Sequence, residues 1–410
     1  MRKNLFVIFA TLIVASLVLT ACGTPASTEP AAPVVQTQVV VQTQVVEKVV
    51  QVTPTADMSA PTPLPAGSVT VNGAGATFPA PLYTDWAYAY QYIDPSVVIN
   101  YQGIGSGGGK KAIVDGTVDF AGSDSLLADA DYTKGVDLQM YPTVAGAVVV
   151  TYNIKWAKAI PTPAAGAKAP ALVLDRATLV GIYNGTINKW NDPAILATNP
   201  DLKDYLPADG ITVVHRSDGS GTTEIFTKAL TSFSPDWKAG GAQSVEWPAD
   251  KAGNGVGGKG NAGVAASVIS TPDSLGYVEL GYATSNSLPY ASLINQAGKT
   301  IVPSNDSVQA AMTEFAGGFT DKLTNTIVDG KSDGAYPIAG YTYLILHTTS
   351  MTDCVKAGKI LEFYKWALTD PTALKRTDTL GYAALPDAVR TAVFAKFGAV
   401  TCSGTAVFKP

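Results

Sequence analysis

The chain has 410 residues, of which 46% are hydrophobic and only 15% charged. That charge content is well below the quarter or so of an average soluble protein, which excludes a coiled coil or a charged disordered chain. Lys+Arg is 28 against Asp+Glu 33, a formal net charge of −5. Without a basic excess to displace counterions, nucleic-acid binding is excluded as the main function. An acidic chain is also expected to repel small anions.

Arg2 and Lys3 precede an uncharged run from Leu5 to Leu19, 15 residues long. A bilayer span needs roughly 20. The run ends in Leu19-Thr20-Ala21-Cys22, so residues 1–22 read as a signal peptide. Cys22 stands where a bacterial lipobox places the thiol that takes a lipid. The expectation is a chain moored by Cys22 to the outer face of the cell membrane, with net charge −7 once Arg2 and Lys3 are removed. A plain signal peptide with an incidental Cys is the alternative. Residues 23–67 are rich in Pro, Thr, Ala, Val and Gln and contain no aromatic residue. They cannot pack a core and read as a low-complexity tether, although the Val alternation also suits a strand or self-association.

The folded part alternates strands and helices. Val69–Asn72 is a predicted strand, followed by a Gly-rich turn and a helix over 80–92 with Pro79 in its first turn. Val97–Tyr101 is a second strand, leading through glycines into a helix from about Lys110. Val118–Ala121 is a third strand and ends at Ser123 and Asp124. Ala147–Tyr152 is an apolar strand, Leu174–Tyr183 a helix and Ile211–His215 a further strand. This alternation predicts an α/β fold of parallel sheets with helices on both faces. Ligands of such sheets bind beyond the carboxyl ends of the strands.

Three strand-to-helix turns share one chemistry. They are Gly75–Pro79 with Thr77, Gly105–Gly109 with Ser106, and Arg216–Thr223 with Ser220, Gly221 and Thr222. Each joins glycines to a hydroxyl near a helix N-terminus, where free N–H groups and the positive dipole end attract anions. Ser and Thr also cap helices without binding anything. Three such turns, one carrying Arg216, predict a convergent oxyanion site. Arg216 offers a bidentate cation, and Asp218 stands close enough in sequence to orient it.

Other chemistries find little support. Gly253–Gly260 nearly matches a nucleotide P-loop, but Gly260 replaces the metal-binding Ser or Thr. No Gly-x-Ser-x-Gly elbow is present. The two histidines, His215 and His347, lie in no metal-ligand spacing, so neither metal nor cofactor is expected. Acid–base catalysis has few candidates, and no catalytic residue is assigned. Trp190 and Trp247 read as core or cleft-rim residues. Cys354 and Cys402 form an even pair, read as a disulfide tying back the C-terminal segment or as two buried thiols.

Across residues 69–410 the chain resembles the phosphate-binding proteins of bacterial ABC-type phosphate transporters, in their lipoprotein form. The resemblance is carried by Val71–Pro81, Asn100–Ser106, Val118–Asp124, Ile182–Pro193, Arg216–Thr222, Gly257–Gly263, Gly276–Tyr282 and Gly381–Asp387. It implies a two-lobe periplasmic-binding-protein (venus-flytrap, type II) fold with two hinge crossovers, near Val144–Ala147 and Gly276–Ala283. The lobes would be 69–144 plus 282–410, and 145–281. It further implies phosphate contacts from Thr77, Phe78, Ser106, Asp124, Arg216, Ser220, Gly221 and Thr222, with Ala76 lending its backbone. The expected partners are inorganic phosphate and a membrane permease, and the expected state is a monomer. Asp124 has a separate physical role: a carboxylate tolerates an anion that carries a proton, as phosphate does, and rejects sulfate, which carries none. A surface-interaction protein of the same fold and a phosphate-handling hydrolase are the alternatives. His215, just before Arg216, stands where a second Arg or another residue is expected, and its role is left open.

Overall fold

A computed structural model describes residues 68–160 and 171–409. The expected signal peptide, Cys22 and the 23–67 tether lie outside the described residues. The main sheet has nine strands: β1 (Val69–Gly75), β2 (Val97–Gly103), β3 (Phe120–Ser123), β4 (Leu138–Asn153), β6 (Thr212–Arg216), β7 (Gly255–Gly258), β8 (Ser274–Glu279), β11 (Ala339–His347) and β12 (Ala383–Ala384). Their order is β2-β1-β3-β11-β4-β8-β6-β7, with β12 beside β4. A small sheet joins β5 (Val173–Leu174), β9 (Ser292–Ile294) and β10 (Thr300–Ile301), and a hairpin joins β13 (Thr401–Cys402) to β14 (Thr405–Ala406).

The flanks of the main sheet are parallel, β2-β1-β3 on one side and β8-β6-β7 on the other. The centre is not: β11 runs antiparallel to both β3 and β4, and β4 antiparallel to β8. The all-parallel expectation is corrected here, because β11 enters from a distant part of the chain. β4 serves both halves. Its residues up to Ala147 pair with β11, and from Val148 onward they pair with β8. Every residue from Met140 to Tyr152 is buried, as a strand covered on both faces requires. The strand expected at Ala147–Tyr152 is therefore the second half of a longer one. After β8 the chain stays beside this half for a time: the Ala291 N–H donates to the Val150 carbonyl and β9 pairs with β5.

Each half has its own aromatic core. Tyr83, Tyr101, Phe120 and Tyr364 meet edge-on or stacked in the first half, with Tyr83 also stacked on Trp86. Tyr183, Phe226, Trp247 and Tyr277 meet edge-on, stacked or tilted in the second. Trp190 is fully buried, so both singled-out tryptophans are core residues.

Helix starts follow local chemistry. The first helix, Ala80–Tyr90, begins after Pro79 and buries Leu82, Tyr83, Trp86 and Tyr90. The helix expected from Lys110 starts earlier, at Ser106. Glycine explains the difference: a Cβ on Gly109 would stand 2.5 Å from the Gly75 Cα, so only a glycine-faced turn lets this helix lie against β1. The helix expected at Leu174 starts at Arg176 because the Asp175 side chain accepts the Thr178 N–H as its cap. The near-P-loop holds β7 at Gly255–Gly258, so its glycines pair with β6 rather than forming a loop.

Cys354 and Cys402 are disulfide-bonded, 48 residues apart in sequence. Closing a loop of that length removes denatured-chain entropy worth about 4 kcal/mol. Replacing both cysteines by Ser should lower the urea-unfolding free energy by about 2–4 kcal/mol without changing the far-UV spectrum. An unchanged midpoint would show that the bond constrains nothing.

Candidate functional site

The three Gly-rich turns meet where the two halves of the sheet face each other. Ser106 opens its helix, and its Oγ accepts two backbone N–H bonds, from Asp124 at 3.2 Å and from Gly221 at 3.1 Å. The first comes from the end of β3, the second from the helix Gly221–Phe233 that follows β6. The Gly107 N–H adds a bond to the Gly219 carbonyl at 3.0 Å. Glycine at 221 is required by this approach: a Cβ there would lie 2.6 Å from the Asp124 carboxylate and from the Ser106 Oγ.

Thr77 and Thr222 are joined through Asn261, the second residue of the helix Gly260–Ser270. The Asn261 Nδ2 donates to the Thr77 Oγ1 at 3.0 Å and to the Thr222 Oγ1 at 3.1 Å, and its backbone N–H also reaches the Thr77 Oγ1. Ser220 caps the Gly221–Phe233 helix by accepting the Thr223 N–H. Its hydroxyl therefore serves the capping role weighed from the sequence, while standing beside Gly221.

Arg216 is 5% exposed at the end of β6. Its Nε donates to the Asp218 Oδ1 at 2.7 Å and its Nη2 to the Oδ2 at 2.5 Å. The orienting role read for Asp218 is thus geometrically in place. The guanidinium beside Asp218 and the Gly260 N–H hold this carboxyl below its usual range despite burial. Such a fork fixes the plane of the cation.

Asp124 is also 5% exposed. Its Oδ1 accepts the Thr342 hydroxyl at 2.8 Å. Burial pushes its pKa up to about 7, against the opposing effects of Thr342 and the Arg216 charge. It is the acceptor among a set of donors.

Phe78 is flanked by two clamped peptides. Tyr282 donates to the Thr77 carbonyl at 2.7 Å, and Tyr382 to the Phe78 carbonyl at 2.7 Å. The Thr77 carbonyl shares a peptide plane with the Phe78 N–H, so Tyr282 fixes where that N–H points. The Ala76 N–H donates to the Gly122 carbonyl and its carbonyl accepts from Tyr101, so like the Gly221 N–H it already has a partner within the protein. His215 also stands apart: it stacks on Trp247 and faces Asp250 and the Arg216 carbonyl.

Sequence reasoning assigned no role to Asn261, Thr342, Tyr282, Tyr382 or Glu279. Four of them lie inside the segments Gly257–Gly263, Gly276–Tyr282 and Gly381–Asp387, and only the fold shows what they touch. Glu279 is fully buried at the end of β8, and burial pushes its pKa up to about 8. Its Oε2 lies 2.9 Å from the Tyr382 hydroxyl, which has one proton and also faces the Phe78 carbonyl. A protonated Glu279 donating to Tyr382 leaves the single Tyr382 proton for the Phe78 carbonyl.

The arrangement is that of an anion-binding cleft between the halves of a two-lobe binding protein. Comparison with known proteins agrees. The family profile described as a PBP superfamily domain matches residues 43–371. A phosphate-binding protein PstS from Methanocaldococcus jannaschii is 37% identical over 338 residues, covering 78% of this chain and 84% of its own. One from Pasteurella multocida is 38% identical, covering 78% and 87%. The chain therefore belongs to the PstS phosphate-binding protein family. Among solved structures, the phosphate-bound periplasmic phosphate-binding protein PfluDING shares the fold at TM-score 0.65 and 21% identity, over 83% of this chain and 98% of that one. A phosphate-binding protein from Stenotrophomonas maltophilia does so at TM-score 0.59 and 22% identity, over 83% and 96%.

The two raised carboxyls predict a pH dependence. Each keeps its proton in the folded chain beyond the value near 4 at which it ionises when unfolded. Their contribution to stability is full below that value and is lost as pH rises to about 7 for Asp124 and about 8 for Glu279. The thermal midpoint of the ligand-free protein should therefore fall between about pH 5 and about pH 9, and Glu279→Gln should flatten the upper part of the curve. A flat curve in the unaltered protein would contradict both assignments.

Proposed function

We propose that the chain is an extracytoplasmic receptor that captures inorganic phosphate between its lobes and delivers it to an ABC-type phosphate permease. The single observation that carries this reading is the composition of the cleft: hydroxyls and one Arg–Asp fork surround one buried acceptor, Asp124. Donors alone would accept any oxyanion. An ionised carboxylate among them requires a ligand that brings its own proton, and phosphate does so near neutral pH while sulfate does not. The family membership and the names of the relatives support the same ligand.

In this reading Phe78 and Gly221 offer backbone N–H groups, and Thr77, Ser106, Ser220 and Thr222 offer hydroxyls. The Gly221 N–H must then share its hydrogen between the ligand and the Ser106 Oγ, which it meets at 3.1 Å. The lobes, 69–144 plus 282–410 and 145–281, close about hinges at the Ala147–Val148 step of β4 and at the end of β8. Residues 291–294 ride on the second lobe, to which they are hydrogen-bonded. Cys22 tethers the receptor to the outer face of the membrane as a monomer, and the protein binds without turnover.

Isothermal titration with phosphate and with sulfate tests the reading. The unaltered chain should bind phosphate and exclude sulfate near pH 8. Arg216→Ala should weaken phosphate binding by on the order of 100-fold, the value of a charged hydrogen-bonding pair. Asp124→Asn should bring the two anions closer in affinity. Equal binding of both anions by the unaltered chain would refute the selectivity argument.

A further inference from the structure

Three hydroxyls of the cleft differ from ordinary hydroxyls in one respect: they already accept hydrogen bonds from the protein, two each at Ser106 and Thr77 and one at Thr222. A free Thr or Ser side chain both donates and accepts, and its proton turns to suit its neighbour. Here the Ser106 Oγ accepts from two backbone N–H groups. The Thr77 Oγ1 accepts from the backbone and side chain of Asn261, and the Thr222 Oγ1 from the side chain. The orientation of the Asn261 amide is fixed by chemistry. Its Oδ1 lies 3.1 Å from the Glu279 N–H, which can only donate, so the oxygen faces Glu279 and the NH2 faces the two threonines.

We propose that Asn261 is a positioning residue of the oxyanion site: by filling lone pairs of Thr77 and Thr222 it turns both hydroxyl protons toward the ligand. The geometry also spans the cleft. Thr77 follows β1 in one half of the sheet, whereas Thr222 and Asn261 follow β6 and β7 in the other. The Thr77 hydroxyl is therefore set as a donor only when the halves meet, and closure and readiness to bind are one event. The amide is fully buried and hydrogen-bonded through both its polar atoms, so holding it costs little further ordering on binding. With two bonds accepted at Thr77 and one at Thr222, Asp124 is the main acceptor, which sharpens the demand for a protonated anion.

This inference rests on the phosphate reading, and the test separates the two. Phosphate affinity is measured for the unaltered chain, Asn261→Ala, Thr222→Val and the double variant. The backbone N–H of Asn261 still holds Thr77 in Asn261→Ala, so the loss falls on Thr222. Asn261→Ala should weaken phosphate binding about tenfold in the unaltered chain and by about twofold or less in the Thr222→Val background. A purely structural role would give the same loss in both backgrounds, and that result overturns the proposal while leaving the phosphate reading intact. If Asn261→Ala does not fold, Asn261→Ser, which keeps the backbone bond and loses the amide, goes through the same cycle. An unaltered chain that takes up no phosphate overturns both.

Discussion

One buried carboxylate governs this site. Asp124 stands in a low-dielectric cleft meant for an anion, a position that costs free energy twice, by desolvation and by repulsion. The fold holds it there through a strand that local sequence order does not announce. β11 enters antiparallel between β3 and β4 and carries Thr342, whose hydroxyl grips the carboxylate. Arg216 supplies the balancing charge, itself locked by Asp218. Around that core the remaining groups donate, so the demand for a proton on the ligand is concentrated at one atom pair.

The same layout explains why an acidic protein can bind an anion. With a net charge of −5 the whole-molecule field offers no attraction. In the proposed reading recognition is local, through helix N-termini, hydroxyls and one guanidinium within a buried cleft, where short-range dipoles outweigh distant screened charges. Two layers of residues make this possible. In the proposed reading the inner layer faces the ligand, and the outer layer of Asn261, Tyr282, Tyr382 and Glu279 fixes the peptides and hydroxyls of the inner one. The outer layer sits at the end of β8, on the helix after β7 and just before β12, where motion of one half against the other would be felt first.

The convergence of the three turns was legible in the sequence because each carries its own signature: glycines for close approach, a hydroxyl, a following helix. Arg216 and Asp218 are two residues apart, so their pairing could be anticipated. The Ala76 backbone could not be judged, because its N–H is consumed by Gly122, a partner set by strand pairing. Asn261 lies 184 residues from Thr77, and Thr342 lies 218 from Asp124. No local pattern encodes such contacts. The direction of β11 and the double duty of β4 were hidden for the same reason, since apolar runs reveal burial but not neighbours. The early start of the Ser106 helix was masked by its glycines, which read as a loop until the closeness of β1 is known.

The most direct test of the central role of Asp124 is a titration of the unaltered protein with sulfate and phosphate across the range in which that carboxyl takes up its proton, from about pH 8.5 to about pH 5.5. With its pKa near 7, Asp124 changes from acceptor to donor within this window. The account predicts that sulfate, excluded at the upper end, gains affinity as pH falls, and that the preference for phosphate narrows. A phosphate preference that stays constant across the window, or sulfate binding as tight at the upper end as at the lower, would contradict it.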